Sequence, residues 1–152
     1  MRMKLMHAQI LCAIWLGACT YLLKTNNIRH HSGLRLKPDF SEVPKNKEIV
    51  RSYFPDPIEF EHMWNIVLCE SSGAQHFMDG STLEGIKNPG DKGIFQINEP
   101  VHYEMIRSIG YNIHITEGNV AFAKHLRELY GDKPWNSSRG CWEKRDALVA
   151  NK

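Results

Sequence analysis

Apolar side chains recur at helical spacing after residue 55. The first such stretch begins at Asp56-Pro57, because aspartate is a favoured helix cap and proline suits the first helical position. One buried helical face requires apolar residues three or four positions apart. The residues that meet this spacing are Phe60, Met63, Trp64, Val67 and Leu68. The pattern predicts an amphipathic helix that runs to about Ser71.

Two further helices and a short last one follow, separated by turn residues. One opens after Asn98 and stops at Gly110. The next begins at Thr116 as its cap and ends at Gly131, where glycine is a common C-cap residue. Its apolar positions are Val120, Ala123, Leu126 and Tyr130. The last helix is short and contains Cys141.

Residues 73–91 separate the first two helices and are rich in glycine and polar side chains. This composition predicts a long loop or a small β-hairpin. Long loops inside compact domains are usually functional. The predicted fold class is therefore mainly α, with a loop or hairpin after the first helix.

The N-terminal residues 1–23 have the layout of a secretory signal or a membrane anchor. Arg2 and Lys4 precede an uncharged, mostly apolar run over residues 8–23, as in exported proteins. The run is long for a signal core and short for a bilayer span. A cleaved signal, an uncleaved anchor and lipid attachment at Cys19 all remain open. We expect export to the cell envelope, at the outer face of the cytoplasmic membrane, in the periplasm or outside the cell.

Residues 24–55 are polar and interrupted by three prolines, and apolar side chains there are sparse. This composition is typical of a linker that holds a domain away from a membrane, and the alternative is a packed N-terminal arm. The domain is then residues 56–142, and the charged residues 143–152 form a tail.

Charge and cysteine content narrow the class of protein. The chain has 19 basic and 17 acidic residues and a net charge of +2, without the basic block that nucleic-acid binding requires. Its eight histidines contain no HExxH motif, so we expect no metal site and no cofactor. Outside the apolar segment the cysteines are Cys69 and Cys141. In an oxidising compartment such a pair favours a disulfide.

Glu70 is the strongest candidate for a catalytic side chain. It ends the first predicted helix and borders the apolar stripe, three residues after Val67. Apolar surroundings favour the neutral carboxyl and raise its pKa toward the value that a general acid needs near neutral pH. Most helix glutamates are simply solvated, and local sequence alone leaves that alternative open.

Four segments resemble the soluble lytic transglycosylases and their lysozyme relatives. They are Cys69-Glu70-Ser71, the Gly93-Ile94-Phe95-Gln96-Ile97-Asn98 segment, the helix with Asn119-Val120-Ala121-Phe122-Ala123, and the ending from Trp135-Asn136-Ser137-Ser138 to Cys141-Trp142. Each motif alone is weak, but the four occur in the family's order over roughly residues 60–142. The resemblance implies a lysozyme-like domain that cleaves peptidoglycan between N-acetylmuramic acid and N-acetylglucosamine.

The resemblance also implies roles for individual residues. Glu70 would protonate the departing oxygen and then accept the proton of the sugar's own 6-hydroxyl, which leaves a 1,6-anhydro end. Residues expected to bind substrate or support the site are Ser71, Gly93, Gln96, Asn98, Tyr103 and Asn136. Ser71 would lie beside Glu70 or donate a hydrogen bond to it, and the alternative is a role at the C-terminal end of the helix. Phe95 is more typical of a core residue.

One departure from the family pattern concerns substrate binding. Many members carry an Ala-Tyr-Asn motif near the end of the domain, and this chain does not. A hydrolytic muramidase is a rival, because hydrolysis uses a second carboxylate, and the loop supplies Asp79, Glu84 and Asp91. A non-catalytic glycan-binding protein is a further alternative. The expected partners are peptidoglycan strands and, through the N-terminal segment, the membrane; we expect a monomer.

Overall fold

The computed structural model describes residues 36–150 of the chain. The predictions made for residues 1–23 and for residues 24–35 lie outside these described residues. Within the described part, no helix is both long enough and apolar enough to cross a membrane.

The described residues are mainly helical, as the sequence predicts. Five α-helices are α1 (Val43–Tyr53), α2 (Pro57–Glu70), α3 (Glu99–Ile109), α4 (Thr116–Tyr130) and α5 (Arg139–Ala150). Two 3-10 helices, Phe40–Glu42 and Lys133–Ser138, precede α1 and α5. Strands β1 (Asp91–Lys92) and β2 (Ile97–Asn98) pair antiparallel, with Asp91 opposite Asn98. The loop after α2 contains only turns and isolated bridges before β1, in agreement with its composition.

The ends of α2 and α3 are set by residues visible in the sequence. The Asp56 side chain accepts hydrogen bonds from the backbone N–H groups of Ile58 and Glu59, and Asn98 accepts one from the N–H of Val101. These bonds satisfy amides that have no partner inside the helix. Gly110 ends α3 in the left-handed conformation, which costs glycine little because it has no Cβ.

The predicted cap of α4 is wrong by one residue. Ile115 occupies the cap position, and no side chain caps the helix. Thr116 instead is buried and donates its hydroxyl to Asn46 Oδ1 at 3.0 Å. A buried hydroxyl requires a hydrogen-bond partner, and α1 supplies one that local sequence does not reveal.

The linker prediction is wrong for residues 36–55. Helix α1 packs against α2 and α4, and Val50 and Phe54 belong to the hydrophobic core. Asn46 is 1% exposed, and its Nδ2 donates to the carbonyl of Gly73 at 2.9 Å. The packed-arm alternative is therefore correct for this stretch, and the domain begins near Leu36.

The core lies between α1, α2, α4 and the segment around β2. Its buried members are Val50, Phe54, Phe60, Met63, Trp64, Ile66, Val67, Ile94, Phe95, Ile97, Ile113, Val120, Phe122, Ala123, Leu126, Trp135 and Trp142. The predicted apolar stripes of α2 and α4 are included, except that Tyr130 is exposed and Leu68 is partly buried.

The tail prediction is also wrong, because residues 143–150 continue α5 and pack against α2. Asp146 accepts a hydrogen bond from Asn65 at 2.8 Å, and its other oxygen lies 2.8 Å from His62 Nδ1. The second ring nitrogen of His62 lies 3.0 Å from Asp132. Of the charges that made this stretch look solvated, Asp146 pairs with α2, whereas Glu143, Lys144 and Arg145 are exposed.

The predicted disulfide is confirmed. Cys69, near the end of α2, is bonded to Cys141, in the first turn of α5, across a separation of 72 residues. The bridge joins the helix that carries Glu70 to the last helix of the domain.

Replacing both Cys69 and Cys141 with serine should lower the free energy of unfolding by about 4 kcal/mol, because the bridge limits the unfolded chain. Urea denaturation of the oxidised native protein and of the double variant measures the difference. Reductant should destabilise the native protein and leave the variant unchanged. A difference below about 1 kcal/mol would contradict the expected loop-closure effect.

Replacing Asn46 with alanine should lower the free energy of unfolding by about 1–3 kcal/mol, because the carbonyl of Gly73 and the hydroxyl of Thr116 lose their buried partner. The same denaturation experiment applies. Lys45, the exposed neighbour, is the matched control, and its alanine variant should stay within about 0.5 kcal/mol of the native protein. Equal stabilities of the Asn46 and Lys45 variants would mean that α1 contributes no buried polar contact.

Candidate active site

Glu70 opens onto a cleft of about 280 Å³. The cleft lies where the end of α2, the β1–β2 hairpin, the start of α3 and the 3-10 helix before α5 meet. Its lining residues are Glu70, Asn88, Asp91, Gln96, Ile97, Asn98, His102, Leu126, Pro134, Trp135 and Ser137. Four of the predicted site residues are brought together here, namely Glu70, Gln96, Asn98 and Asp91.

The Glu70 carboxyl is partly buried and is held by one hydrogen bond. Ser138 Oγ donates to Glu70 Oε1 at 2.6 Å. Burial raises the pKa of Glu70 above its ordinary value of 4.5, and the negative charge of Asp91 raises it further, while the hydrogen bond from Ser138 opposes both. Burial is the largest of these influences, so the site favours a carboxyl that keeps its proton to higher pH than a solvated glutamate does.

The turn between β1 and β2 carries Gln96, and three buried polar side chains hold its backbone. Ser71 Oγ donates to the carbonyl of Ile94 at 2.7 Å. Gln75 Oε1 accepts from the N–H of Ile94 at 2.8 Å, and Asn119 Oδ1 accepts from the N–H of Phe95 at 3.0 Å. Because buried backbone groups without partners are costly, these contacts define one position for the turn.

Gly93 is required by packing and by backbone conformation. Its φ is +68°, and a Cβ at this position would lie 2.5 Å from the Gln75 side chain and 2.6 Å from Asn119 Nδ2. Any larger residue would displace the two amides that hold the turn. The close approach expected of Gly93 is therefore to the protein's own amides, and Gly93 does not line the cleft.

Gln96 adopts a left-handed conformation, with φ of +48°. Such conformations are uncommon outside glycine and are concentrated at functional sites. Its Nε2 donates to the carbonyl of Gly93 at 2.8 Å, and the side chain faces the cleft. The amide is thereby fixed in a position from which it can bind a polar group of a ligand.

Asn98 serves two functions. Its Oδ1 caps α3, and its Nδ2 donates to Asp91 Oδ1 at 2.7 Å. Asn88 Nδ2 donates to the same Asp91 oxygen at 3.0 Å. The cleft therefore contains a second carboxylate, fixed by two amides, whose charge acts on Glu70.

The other predicted site residues lie elsewhere. Asp79 is exposed in the loop, where hydrogen bonds from Ser81 lower the pKa of its carboxyl, and Glu84 forms an ion pair with Lys92 at 2.6 Å. Tyr103 is 52% exposed, and neither Tyr103 nor Asn136 lines the cleft. Asp79 and Glu84 sit among polar partners on the surface of the loop, so Asp91 is the one loop carboxylate of the three that reaches the cleft.

Ser71 also differs from its expected position. It is buried and directs its hydroxyl to the turn and to Val67 at the end of α2. The serine that contacts Glu70 is Ser138, which lies 68 residues along the chain. Ser71 contributes to the site by fixing the turn that carries Gln96.

Sequence reasoning did not single out Ser138, Asn88, Ser137 or His102. Ser137 and Ser138 belong to a segment that carries the family resemblance, and this resemblance is the signal from which they could have been found. Burial lowers the pKa of His102, and its ring packs edge-on against Phe122 at 5.7 Å. Asn88 lies in a turn with proline and glycine, and this context gives no indication of a cleft residue.

A larger cavity of about 800 Å³ lies away from Glu70, around the start of α2 and the end of α5. Its charged side chains are largely paired with one another. His62 lies between Asp132 and Asp146, and Arg127 lies 2.7 Å from Asp132. Its size exceeds that of the cleft, but His62, Arg127, Asp132 and Asp146 are paired with one another, and Asp146 holds α5 to α2.

Among residues 36–150, no group of three or more His, Cys, Asp or Glu side chains is arranged to hold a metal ion. Comparison of the chain with models of known protein families, with characterised proteins and with solved structures gave no match.

The raised pKa of Glu70 should appear in the pH dependence of stability. A carboxyl whose pKa is raised on folding favours the folded state below its unfolded pKa, and that contribution is lost as pH rises through the folded pKa. The Glu70→Gln variant keeps an oxygen for Ser138 but cannot ionise. Its stability relative to the native protein should therefore increase as pH rises from below 4.5, the ordinary value, to neutral. Thermal unfolding across this range measures the difference, and a constant or decreasing difference would mean that the pKa of Glu70 is not raised.

Proposed function

We propose that this protein is a peptidoglycan lytic transglycosylase with a lysozyme-like domain and Glu70 as its general acid and base. The observation that carries the proposal is a partly buried carboxyl with a raised pKa that opens onto a cleft beside fixed side-chain amides. Cleavage of a β-1,4 bond between N-acetylmuramic acid and N-acetylglucosamine needs such a proton donor. The order of the sequence motifs supports the same reading.

The proposed reaction uses one carboxyl twice. Glu70 protonates the oxygen that leaves with N-acetylglucosamine, and the bond from that oxygen to the anomeric carbon of N-acetylmuramic acid breaks. The 6-hydroxyl of the same muramic acid then bonds to the anomeric carbon and returns its proton to Glu70. The products are an N-acetylglucosamine with a free 4-hydroxyl and an N-acetylmuramic acid with a 1,6-anhydro ring. The reaction consumes no water and needs no cofactor.

The amides of the cleft suit a sugar that carries an N-acetyl group. Gln96 lines the cleft, and its amide oxygen can accept the N–H of an acetamido group, whereas the amide of Asn88 is already used by Asp91 and by the N–H of Gly90. Asn98 acts indirectly, because its amide is already used by Asp91 and by the cap of α3. The pocket supports recognition of aminosugars better than recognition of strongly charged ligands.

Asp91 favours one alternative, a hydrolytic muramidase acting on the same bond. A carboxylate across the cleft from the acid can activate water or stabilise the positively charged sugar. Asp91 is fixed by two amides and lines the same cleft as Glu70. In that reaction water attacks the anomeric carbon and the product has a reducing end.

The proposed setting is the cell envelope. We propose that the N-terminal segment exports the chain or attaches it to the membrane, and that the domain acts as a monomer on glycan strands outside the cytoplasm. The disulfide supports this placement, because such bonds persist in oxidising compartments.

Mass spectrometry of the products that the purified protein releases from peptidoglycan tests the activity. We expect anhydromuropeptides from the native protein, and a loss of about 10²- to 10⁴-fold in the Glu70→Gln variant, because that variant has no proton to donate. The Asp79→Asn variant is the control, since Asp79 lies outside the cleft, and it should keep native activity.

The mass of the released product also distinguishes a transglycosylase from a hydrolase and from a binding protein. Muropeptides one water heavier than the anhydro form, together with inactivity of an Asp91→Asn variant, would identify a hydrolase. Binding of peptidoglycan by folded, oxidised protein without any released product would refute an enzymatic function and favour a glycan-binding protein.

A further inference from the structure

Ser138 is the one side chain that hydrogen bonds to Glu70 among the residues that the structure describes. The bond is 2.6 Å long, within the range of hydroxyl bonds to an ionised carboxylate. Ser138 does not line the cleft. Its contact with the site is therefore the hydrogen bond to Glu70.

The segment that carries Ser138 is held by buried tryptophans. The hydroxyl has one proton, for which Glu70 Oε1 at 2.6 Å and the carbonyl of Trp135 at 3.1 Å compete, and the shorter contact is the one to Glu70. Trp142 Nε1 donates to the same carbonyl of Trp135 at 3.1 Å. Trp135 itself is buried, and its Nε1 donates to the carbonyl of Phe95 at 3.1 Å. The hydroxyl thus extends from a fixed backbone segment.

Covalent structure keeps the two groups together. Ser138 precedes Cys141 by three residues, and Glu70 directly follows Cys69, its disulfide partner. The carboxyl and the hydroxyl therefore lie within one and three residues of the two ends of one disulfide bridge. The bridge limits how far α2 can move from the Lys133–Ser138 helix.

The two oxygens of Glu70 are not equivalent. Oε1 accepts the Ser138 hydrogen bond, whereas no hydrogen bond to Oε2 is formed by any residue of the described range 36–150. A proton on Oε1 would compete with the Ser138 donor for the same contact. Oε2 is free to carry the proton and to meet a ligand in the cleft.

We propose that Ser138 is a positioning residue that occupies Oε1 of Glu70 and so presents Oε2 as the oxygen that exchanges protons with the substrate. The catalytic part of this role rests on the proposed function. The effect of Ser138 on the Glu70 carboxyl does not, because the hydrogen bond is present without substrate. The hydroxyl also limits the rise in the pKa of Glu70, because it stabilises the ionised form that is left when the carboxyl gives up its proton.

The first test is the titration of Glu70, followed by NMR of its carboxyl carbon in protein labelled with ¹³C-glutamate. The Ser138→Ala variant should titrate at higher pH than the native protein, because the ionised form loses a donor. The Ser138→Thr variant keeps the hydroxyl and should return the midpoint toward the native value. Ser52 is the matched control, since its Oγ likewise donates to a carbonyl three residues back, and its alanine variant should leave the midpoint unchanged.

The second test is the pH profile of product release from peptidoglycan. Ser138→Ala should lower kcat about 10- to 100-fold, the range expected for one hydrogen bond to a charged group, with KM little changed. Its alkaline limb should move to higher pH, and threonine should restore both properties.

The outcomes distinguish the two proposals. An unchanged Glu70 midpoint in folded Ser138→Ala, or a threonine variant as impaired as alanine, would overturn the role of Ser138. A shifted midpoint in a protein that releases no product from peptidoglycan would uphold the contact and overturn the enzymatic function. Loss of folding in the alanine variant would leave the threonine variant's midpoint and pH profile as the deciding measurements, and a threonine variant that matches the native protein in both would support the role.

Discussion

The burial of one short turn is the constraint on which the site depends. The Gly93–Gln96 turn enters the core with its backbone polar groups, and water cannot reach them there. Ser71, Gln75 and Asn119 supply the missing partners from three different parts of the chain. The same constraint accounts for a glycine at the start of the turn, because the amides approach it too closely for a Cβ. Gln96 is held in the cleft as a consequence.

The properties of Glu70 come from opposing influences on one carboxyl. Burial favours its neutral form, and the nearby Asp91 adds to that effect, whereas Ser138 stabilises the ionised form. In the proposed reaction Glu70 both releases and accepts a proton, which requires that neither protonation state dominate strongly. The balance between the neutral and the ionised carboxyl is set by residues from the end of α2, from β1 and from the 3-10 helix before α5. These residues lie in three separate segments of the chain.

Two stretches of polar composition are structural parts of the domain. Helix α1 contributes Val50 to the core and Asn46 to a buried hydrogen-bond network. The end of α5 places Asp146 against His62 and Asn65 of α2. A small domain has little apolar surface to bury, so paired polar side chains and the Cys69–Cys141 bridge supply part of the contact between its ends.

The sequence by itself determined the elements with local physical causes. Helix starts at Asp56 and after Asn98, the stop at Gly110 and the apolar stripe of α2 follow from capping and from helical periodicity. Glu70 was identifiable as a candidate, because it borders the apolar stripe of α2 and belongs to one of the four segments that carry the family resemblance. Only the tertiary structure decided that Ser138, and not Ser71, contacts Glu70, that Asp91 reaches the cleft while Asp79 and Glu84 do not, and that residues 36–55 are packed. Each of these outcomes depends on contacts between residues far apart in the chain, and local pattern carries no information about which distant group supplies the partner.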